Sequence, residues 1–180
     1  MKEFIRDYPM LSACGLNCGL CTMHIGGYCP GCGGGEGNQS CAIARCTVAH
    51  KVSYCAACAE YPCAKYDGID AYDSFISTLN MRSNLEKVMR IGVDAYRAEL
   101  DEKITIVHTL LADYNDGRHK SPFCTAVNLL ELESLRAVMA ELAAADTAEM
   151  TPKEKAKLAA AMFHGAAEQQ GISLKMRKKK

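Results

Sequence analysis

VDAYRAELDEKITIVHTLLADY, residues 93–114, decides the fold class of this chain of 180 residues. Apolar side chains recur along it at spacings of three and four, from Val93 through Leu100 and Val107 to Tyr114. This spacing puts them on one face of a helix, so the stretch predicts one long amphipathic α-helix. The Asn-Asp-Gly sequence at 115–117 is a turn signal that ends it.

Two further helices are predicted on the C-terminal side of this stretch. One of them begins at Thr151, where Pro152 takes the first helical position and Glu154 completes a capping box. Gly171 is its expected stop. The other helix, which lies before Thr151 in the chain, has an apolar stripe at helical spacing. The stripe is formed by Leu132, Leu135, Met139 and Leu142.

Shorter helical patterns cover 71–79 and 84–90, and no segment alternates as a strand does. We therefore expect a mostly α protein in which a loop-rich, metal-stapled cysteine module, with turns like those of zinc ribbons and knuckles, packs on a small helical bundle. The predicted divisions are a metal-binding module at 1–66, a helical bundle at 67–174 and a basic, disordered tail at 175–180.

The N-terminal third is rich in cysteine and glycine. Ten of the 11 cysteines lie between Cys14 and Cys63, and nine of the 14 glycines lie between Gly15 and Gly37. Such a segment buries little apolar surface, and metal ions are the usual staple for small domains of this kind. The charged N-terminus lacks a secretory signal, which predicts a cytoplasmic protein whose cysteines bind metal and do not form disulfides.

The spacing of the cysteines supports metal binding. Three C-x2-C pairs, at 18/21, 29/32 and 55/58, each let two thiolates on one tight turn face the same ion. Four thiolates suit zinc or an iron–sulfur cluster, so we expect about two structural zinc ions, with a cluster as the alternative. The predicted ligands are Cys14, Cys18, Cys21, Cys29, Cys32, Cys41, Cys46, Cys55, Cys58 and Cys63.

The order of the cysteines suggests one division among ions. Four consecutive ones, Cys29, Cys32, Cys41 and Cys46, are predicted to share an ion, and the flanking six are predicted to form the remaining site or sites. His24 and His50 are further candidate ligands inside this region. Cys124 is expected to be a small buried hydrophobe, which is how an isolated cysteine usually behaves.

C-x3-C-x2-C at 14–21 also matches the cluster-binding signature of radical S-adenosylmethionine enzymes. That chemistry needs a barrel-like scaffold of parallel strands alternating with helices over roughly 200 residues. This chain has no such strands, so the sequence disfavours that interpretation.

Residues 12–66 resemble a small cysteine-rich group of bacterial and archaeal proteins, the domain-of-unknown-function family numbered 3795. Its members open with CGL-x-C-x2-C and close with C-x2-C-x2-YPC, which here correspond to CGLNCGLC at 14–21 and CAACAEYPC at 55–63. The resemblance extends to the Gly-Cys step at Cys32 and to the C-x-I-x2-C element from Cys41 to Cys46. It implies a metal-binding module, with zinc as the expected metal and no established activity. The chain departs from the family between Cys21 and Cys29, where a short glycine-rich loop replaces a longer insert.

Two basic segments are candidate binding surfaces. The loop at 115–124 contains Arg118, His119 and Lys120, which could pair with an anionic ligand or the cysteine module. We favour an ordinary turn, after which Ser121 and Pro122 start a helix. The tail KMRKKK could touch nucleic acid, but residues 67–150 have 15 acidic and 8 basic side chains, so a broad nucleic-acid surface is not indicated.

The sequence therefore predicts a non-catalytic, zinc-binding protein with an interaction or regulatory role toward a protein partner that the sequence does not identify. An iron–sulfur protein that transfers electrons or senses redox state is the first alternative. A metalloenzyme with an open metal position is the second, although no clear carboxylate–histidine pair is present to serve as its base. No apolar run is long enough for a membrane span.

Overall fold

Seven α-helices form the framework of the protein in the computed structural model, which describes residues 4–35 and 41–179. They are α1 (Thr22–Ile25), α2 (Ala42–Ala49), α3 (Met81–Ile91), α4 (Val93–Asp113), α5 (Lys120–Leu129), α6 (Leu132–Ala144) and α7 (Pro152–Gln169). Short 3-10 turns occur at Cys18–Leu20, Cys55–Ala57 and Ala64–Tyr66. These described ranges contain no β-strand, and an isolated bridge pairs Ile5 with Gly34.

The strongest helical patterns in the sequence are confirmed. The long helix α4 ends at Asp113, two residues before Asn115 of the Asn-Asp-Gly turn, and α6 matches the predicted stripe. At the start of α7 the Thr151 hydroxyl accepts a hydrogen bond from the backbone N–H of Glu154 at 3.3 Å, and the Glu154 carboxylate accepts one from the N–H of Thr151 at 2.8 Å. Gly171 follows the end of α7 with a φ of +66°, as expected for a helix stop.

The short helix predicted over 71–79 is wrong, whereas the one predicted over 84–90 is confirmed as part of α3. Asp73 accounts for the difference. Its carboxylate accepts hydrogen bonds from the Thr78 backbone N–H at 2.9 Å and the Ser77 hydroxyl at 3.1 Å. These bonds hold the segment as a loop, because a short acidic side chain competes effectively with helical backbone bonding.

Helices α1, α2 and α5 occur where no helix was predicted or where only a start was suggested. Helix α2 lies inside the cysteine-rich part and presents Ile43, Ala44 and Thr47 to the interior. Helix α5 begins at Lys120, and Phe123 in its first turn is 1% exposed. The interpretation of 115–124 as an ordinary turn leading into a helix is therefore confirmed.

The core is built around α4, which packs against α3, α5, α6 and α7. Its apolar face contributes Leu100, Val107 and Leu110, all at most 1% exposed. Neighbouring helices contribute large buried side chains to the same cluster: Leu85, Phe123, Val127, Leu135, Leu142 and Phe163.

The cysteine-rich part shares this core. Leu11, Leu20, Ile43 and Tyr66 belong to the same buried cluster as the helices. The turn Cys18–Leu20 packs on α4 and α5, and the turn Cys55–Ala57 packs on α3. A continuous hydrophobic core therefore contains residues from both sides of residue 66, near which the composition of the chain changes.

Arg177, within the predicted basic tail, has a defined set of contacts. Its Nη2 donates to Asp73 Oδ1 at 2.7 Å, and its backbone N–H donates to Asp73 Oδ2 at 2.7 Å. Lys180 lies outside the described residues. Within residues 4–35 and 41–179, no helix is both long enough and apolar enough to cross a bilayer.

Candidate metal centre

Four of the predicted ligands line one small cavity. Its volume is about 20 Å³, and its walls come from α2 and from the loop between residues 52 and 66. The cysteines that line it are Cys46, Cys55, Cys58 and Cys63. A cavity of this size accommodates about one water-sized probe, so its volume suits a single ion.

Local backbone bonding explains how the loop brings three of these cysteines together. The N–H of Cys58 donates to the carbonyl oxygen of Cys55 at 2.9 Å, which closes the first C-x2-C turn. The N–H of Tyr61 donates to Cys58 O at 3.1 Å, and the N–H of Tyr66 donates to Cys63 O at 2.9 Å. Successive tight turns thus keep this segment folded back toward α2, which carries Cys46.

Cys55 is the most enclosed member of the group, at 9% exposed. Its backbone N–H donates to Ala13 O at 2.9 Å, which anchors the loop to the N-terminal segment. Burial raises the pKa of Cys55 above its ordinary value of 9.0, and the proximity of Cys46 and Cys63 raises it further. Electrostatic coupling between these sulfurs makes several thiolates unfavourable together without a compensating cation.

His50 lies at the rim of this cavity. Its Nδ1 is 2.9 Å from the carbonyl oxygen of Cys46 and 3.5 Å from the Cys46 sulfur, and its Nε2 is 3.4 Å from Glu60 Oε1. The bond to the Cys46 carbonyl, supported by Glu60, raises the pKa of His50 above 6.5. A ring with both nitrogens engaged in this way is better suited to orienting Cys46 than to replacing a thiolate.

The remaining predicted ligands form a second neighbourhood near the N-terminus. Burial raises the pKa of Cys14 to about 11, with Cys32 and Cys41 adding to the effect. Burial also raises the pKa of Cys18 well above 9.0, and the neighbours that add to that shift are Cys32, Cys14, Cys21 and Cys29.

Specific backbone contacts organise this second group. The N–H of Cys21 donates to Cys18 O at 3.0 Å, and the N–H of Cys32 donates to Pro9 O at 2.9 Å. Gly31, inside the Cys29–Cys32 pair, has a φ of +86°, and a Cβ there would lie 2.8 Å from Pro9 O. The Cys-Pro-Gly-Cys turn therefore requires glycine at this position.

The four cysteines that line this cavity are not the four consecutive ones predicted to share an ion. Cys46 lines the cavity with Cys55, Cys58 and Cys63 and not with its sequence neighbours Cys29 and Cys32. Helix α2 is the physical reason, because Cys41 lies at its N-cap and Cys46 lies more than one helical turn further along. The helix thus separates two consecutive cysteines, and Cys41 is near enough to Cys14 to raise its pKa.

Among residues 4–35 and 41–179, no three His, Cys, Asp or Glu side chains converge closely enough, as they stand, to hold a metal ion. All eleven cysteines lie within these ranges and are free thiols. The donor chemistry nevertheless fits a soft cation, since thiols from one helix and two tight turns surround a cavity of single-ion size. A tetrahedral site would require these thiols to turn further toward the cavity.

The other candidate residues have structural partners. His24 Nδ1 is 2.8 Å from the carbonyl oxygen of Cys29. His119 Nδ1 is 2.7 Å from Asp116 Oδ1. Cys124 is 1% exposed, and burial raises its pKa to about 12, as expected for a thiol in the core. Lys120 approaches the cysteine-rich part, because its Nζ lies 3.0 Å from where a Cβ on Gly26 would be.

Tyr66, which no sequence motif marks, lines the same cavity as the four cysteines. Its side chain is 1% exposed, and its hydroxyl oxygen has no hydrogen-bond partner of good geometry among the described residues. The available signal was the position of Tyr66 three residues after Cys63, which is the spacing of a tight turn. A buried hydroxyl without a partner is rare in proteins.

Comparisons with protein-family models, with curated proteins and with solved structures each found no match to this chain.

Proposed function

We propose that this protein binds two structural zinc ions through its cysteine-rich part, and that Cys46, Cys55, Cys58 and Cys63 hold one of them. The observation that carries this proposal is the cavity of about 20 Å³ lined by these four cysteines. Four thiolates match the ligand set of closed structural zinc sites. The second ion would be bound from among Cys14, Cys18, Cys21, Cys29, Cys32 and Cys41.

A structural role follows from this ligand set. A zinc ion with four thiolate ligands has no open position for water or substrate, unlike a catalytic site with three protein ligands. Bound zinc would neutralise the repulsion between the clustered sulfurs and fix the loop of residues 52–66 against α2. We accordingly propose a non-catalytic role in binding or regulating a protein partner.

The free cysteine thiols also bear on where in the cell the protein is located. Eleven free thiols persist where glutathione and thioredoxin keep cysteine reduced. We therefore propose a cytoplasmic location for this protein.

Metal analysis of single and double variants tests the proposal. The wild-type protein, purified under reducing conditions without added metal chelators, should contain two zinc ions per chain. Cys46→Ser and Cys58→Ser should each contain one, and the double variant should also contain one, because both residues would bind the same ion. Combining Cys46→Ser with Cys18→Ser should remove both ions.

Cys124→Ser is the matched control, since Cys124 is a buried thiol in α5 outside both groups, and it should retain two ions. Three results would contradict the proposal: a wild-type protein without metal, a double Cys46→Ser, Cys58→Ser variant that loses two ions, or a brown protein containing iron and sulfide. The last result would instead support the iron–sulfur alternative.

A further inference from the structure

Tyr66 occupies a fixed position at the wall of the candidate zinc cavity. It ends the 3-10 turn Ala64–Tyr66, and its ring meets the Tyr61 ring edge-on with centroids 5.0 Å apart. The Arg82 guanidinium lies 5.3 Å from the ring centroid, and its Nη2 donates to the Tyr66 carbonyl oxygen. Contacts on the ring and on the backbone therefore hold the side chain in place.

The hydroxyl at the end of this ring is enclosed beside sulfur. It is buried and has no well-formed hydrogen bond within the described part of the chain. Tyr66 and Cys55 line the same cavity, and their proximity lowers the pKa of the Cys55 thiol and raises that of the Tyr66 hydroxyl. Burying a hydroxyl without a hydrogen-bond partner is unfavourable. A state of the site that gives the Tyr66 hydroxyl a partner would therefore be favoured.

Ligation of a metal ion by the cysteines of this cavity would supply such a state. A neutral thiol is a weak hydrogen-bond acceptor. A thiolate carries a full negative charge and accepts a stronger, charge-assisted bond. Cysteine ligands bind metal as thiolates, so metal binding would turn the sulfur beside Tyr66 from a poor acceptor into a good one.

We propose that the Tyr66 hydroxyl is a positioning group for the zinc site, donating a hydrogen bond to the Cys55 thiolate when the metal is bound. This inference rests on the proposed function, because it requires Cys55 to be a ligand. Outer-shell donors of this kind orient the ligands of metal sites, and their loss typically weakens metal binding about 10-fold to 100-fold.

The proposal makes opposite predictions for the two states of the protein. In metal-free protein, Tyr66→Phe removes a buried hydroxyl that lacks a partner, so the variant should be at least as stable as wild type. In zinc-bound protein, the same substitution removes a bond to a thiolate, so the variant should be less stable than wild type. A purely structural role for Tyr66 would shift both states in the same direction.

Zinc and cobalt titrations of the full chain test this. Zinc affinity is measured by competition with a chromophoric chelator, in wild type, in Tyr66→Phe and in Tyr61→Phe. Tyr66→Phe should bind the ion of the Cys46 group about 10-fold more weakly. Tyr61→Phe is the matched control, since Tyr61 lines the same cavity and contacts the Tyr66 ring, and it should stay within twofold of wild type.

Cobalt substitution gives a readout that depends on the sulfur itself. A thiolate that loses a hydrogen bond becomes a stronger electron donor, so the sulfur-to-cobalt charge-transfer band of Tyr66→Phe should move to lower energy. An unshifted band together with an affinity within twofold of wild type would overturn the inference. It would leave the proposed function intact, because that proposal depends on the ion counts of the cysteine variants.

Discussion

The hydroxyl of Tyr96 in α4 donates a hydrogen bond to Oδ1 of Asn17 across 3.0 Å. Asn17 lies between Cys14 and Cys18 and is 1% exposed, and Tyr96 is 4% exposed. The amide nitrogen of Asn17 in turn donates to Asn128 Oδ1 in α5 at 3.2 Å. A buried polar chain thus joins the first cysteine turn to two helices of the bundle.

Breaking this chain should destabilise the whole protein. Tyr96→Phe leaves the buried side-chain oxygen Oδ1 of Asn17 without its hydrogen-bond donor. We therefore expect the free energy of unfolding to fall by about 1–3 kcal/mol. Urea unfolding monitored by far-UV circular dichroism, at a fixed zinc concentration, measures the change. Thr105→Ala, at an exposed position of the same helix, is the control and should change stability by less than about 0.5 kcal/mol. Equal effects of the two substitutions would contradict this account.

Gly15 in the same turn should tolerate no side chain. Its φ is +90°, and a Cβ there would meet the carbonyl oxygen of Met81 and lie 2.8 Å from Leu85 Cγ. Its own carbonyl oxygen accepts a hydrogen bond from the Asn84 amide at 2.8 Å, so the turn cannot move away freely. Gly15→Ala should lower the free energy of unfolding by about 2–4 kcal/mol through backbone strain and overpacking.

Gly165 provides the matched comparison for that substitution. It lies within α7, and a Cβ there would meet nothing within 4 Å. Gly165→Ala should therefore raise the free energy of unfolding by about 0.5–1 kcal/mol, since alanine is the better helix former. Thermal melts of the two variants should move in opposite directions, and a stable Gly15→Ala variant would show that this turn does not dock on α3 as described.

The pairing of Asp73 with Arg177 should make stability depend on pH in the acid range. Burial alone would raise the pKa of Asp73, but the hydrogen bonds from Arg177, Thr78 and Ser77 outweigh it and hold the pKa well below 3.8. Since the folded-state pKa is lowered, the stabilisation is present above the unfolded-state pKa of about 3.8 and is lost as pH falls below it.

Asp73→Asn measures this contribution. At pH 7 we expect the variant to be about 2–3 kcal/mol less stable than wild type, because charged hydrogen bonds to a buried carboxylate are lost. The difference between the two proteins should shrink as the pH is lowered toward 3. Arg136→Ala removes an exposed pair with Glu102 and should change stability at pH 7 much less than Asp73→Asn does. A difference between wild type and Asp73→Asn that is constant from pH 7 to pH 3 would contradict the linkage.

The same pair shows where prediction from the sequence reaches its limit. Helices α4, α6 and α7 were predictable because the period of their apolar residues and the capping box at Thr151 involve residues that are close together in the sequence. The loop around Asp73 was not predictable, because one of its partners is more than 100 residues away at Arg177. The apolar pattern over 71–79 resembles a helix, and only the tertiary contact with the C-terminal segment reverses that reading.

For the candidate site, too, some features could be predicted from the sequence and others could not. The sequence predicts ten cysteines as candidate ligands, because their density and the repeated C-x2-C spacing are local features. Their grouping depends on where α2 lies, since that helix puts Cys41 near Cys14 and Cys46 beside Cys55. The buried Tyr66 hydroxyl carries no sequence signature apart from its short distance from Cys63.

Removal of metal should alter the cysteine-rich part before the helical bundle. The chain has no tryptophan, so its near-UV circular dichroism arises mainly from its 8 tyrosines. Tyr61 and Tyr66 form a ring pair at the cavity wall. Chelation of zinc should therefore change the tyrosine signal strongly, because the packing of this pair depends on the loop that the proposed ion fixes. Most far-UV helical signal should persist, since α4, α6 and α7 contain no cysteine and bury their own apolar faces.

Cys58→Ser in zinc should reproduce this near-UV change without a chelator, whereas Cys124→Ser should not. A structural ion contributes its binding free energy to folding, so chelation should also lower the thermal midpoint of unfolding. Simultaneous loss of the near-UV and far-UV signals on chelation would mean that the bundle cannot fold without the metal. The hydrophobic cluster that crosses residue 66 would then be too small to hold the helices together, and the metal would be the main source of stability for the whole chain.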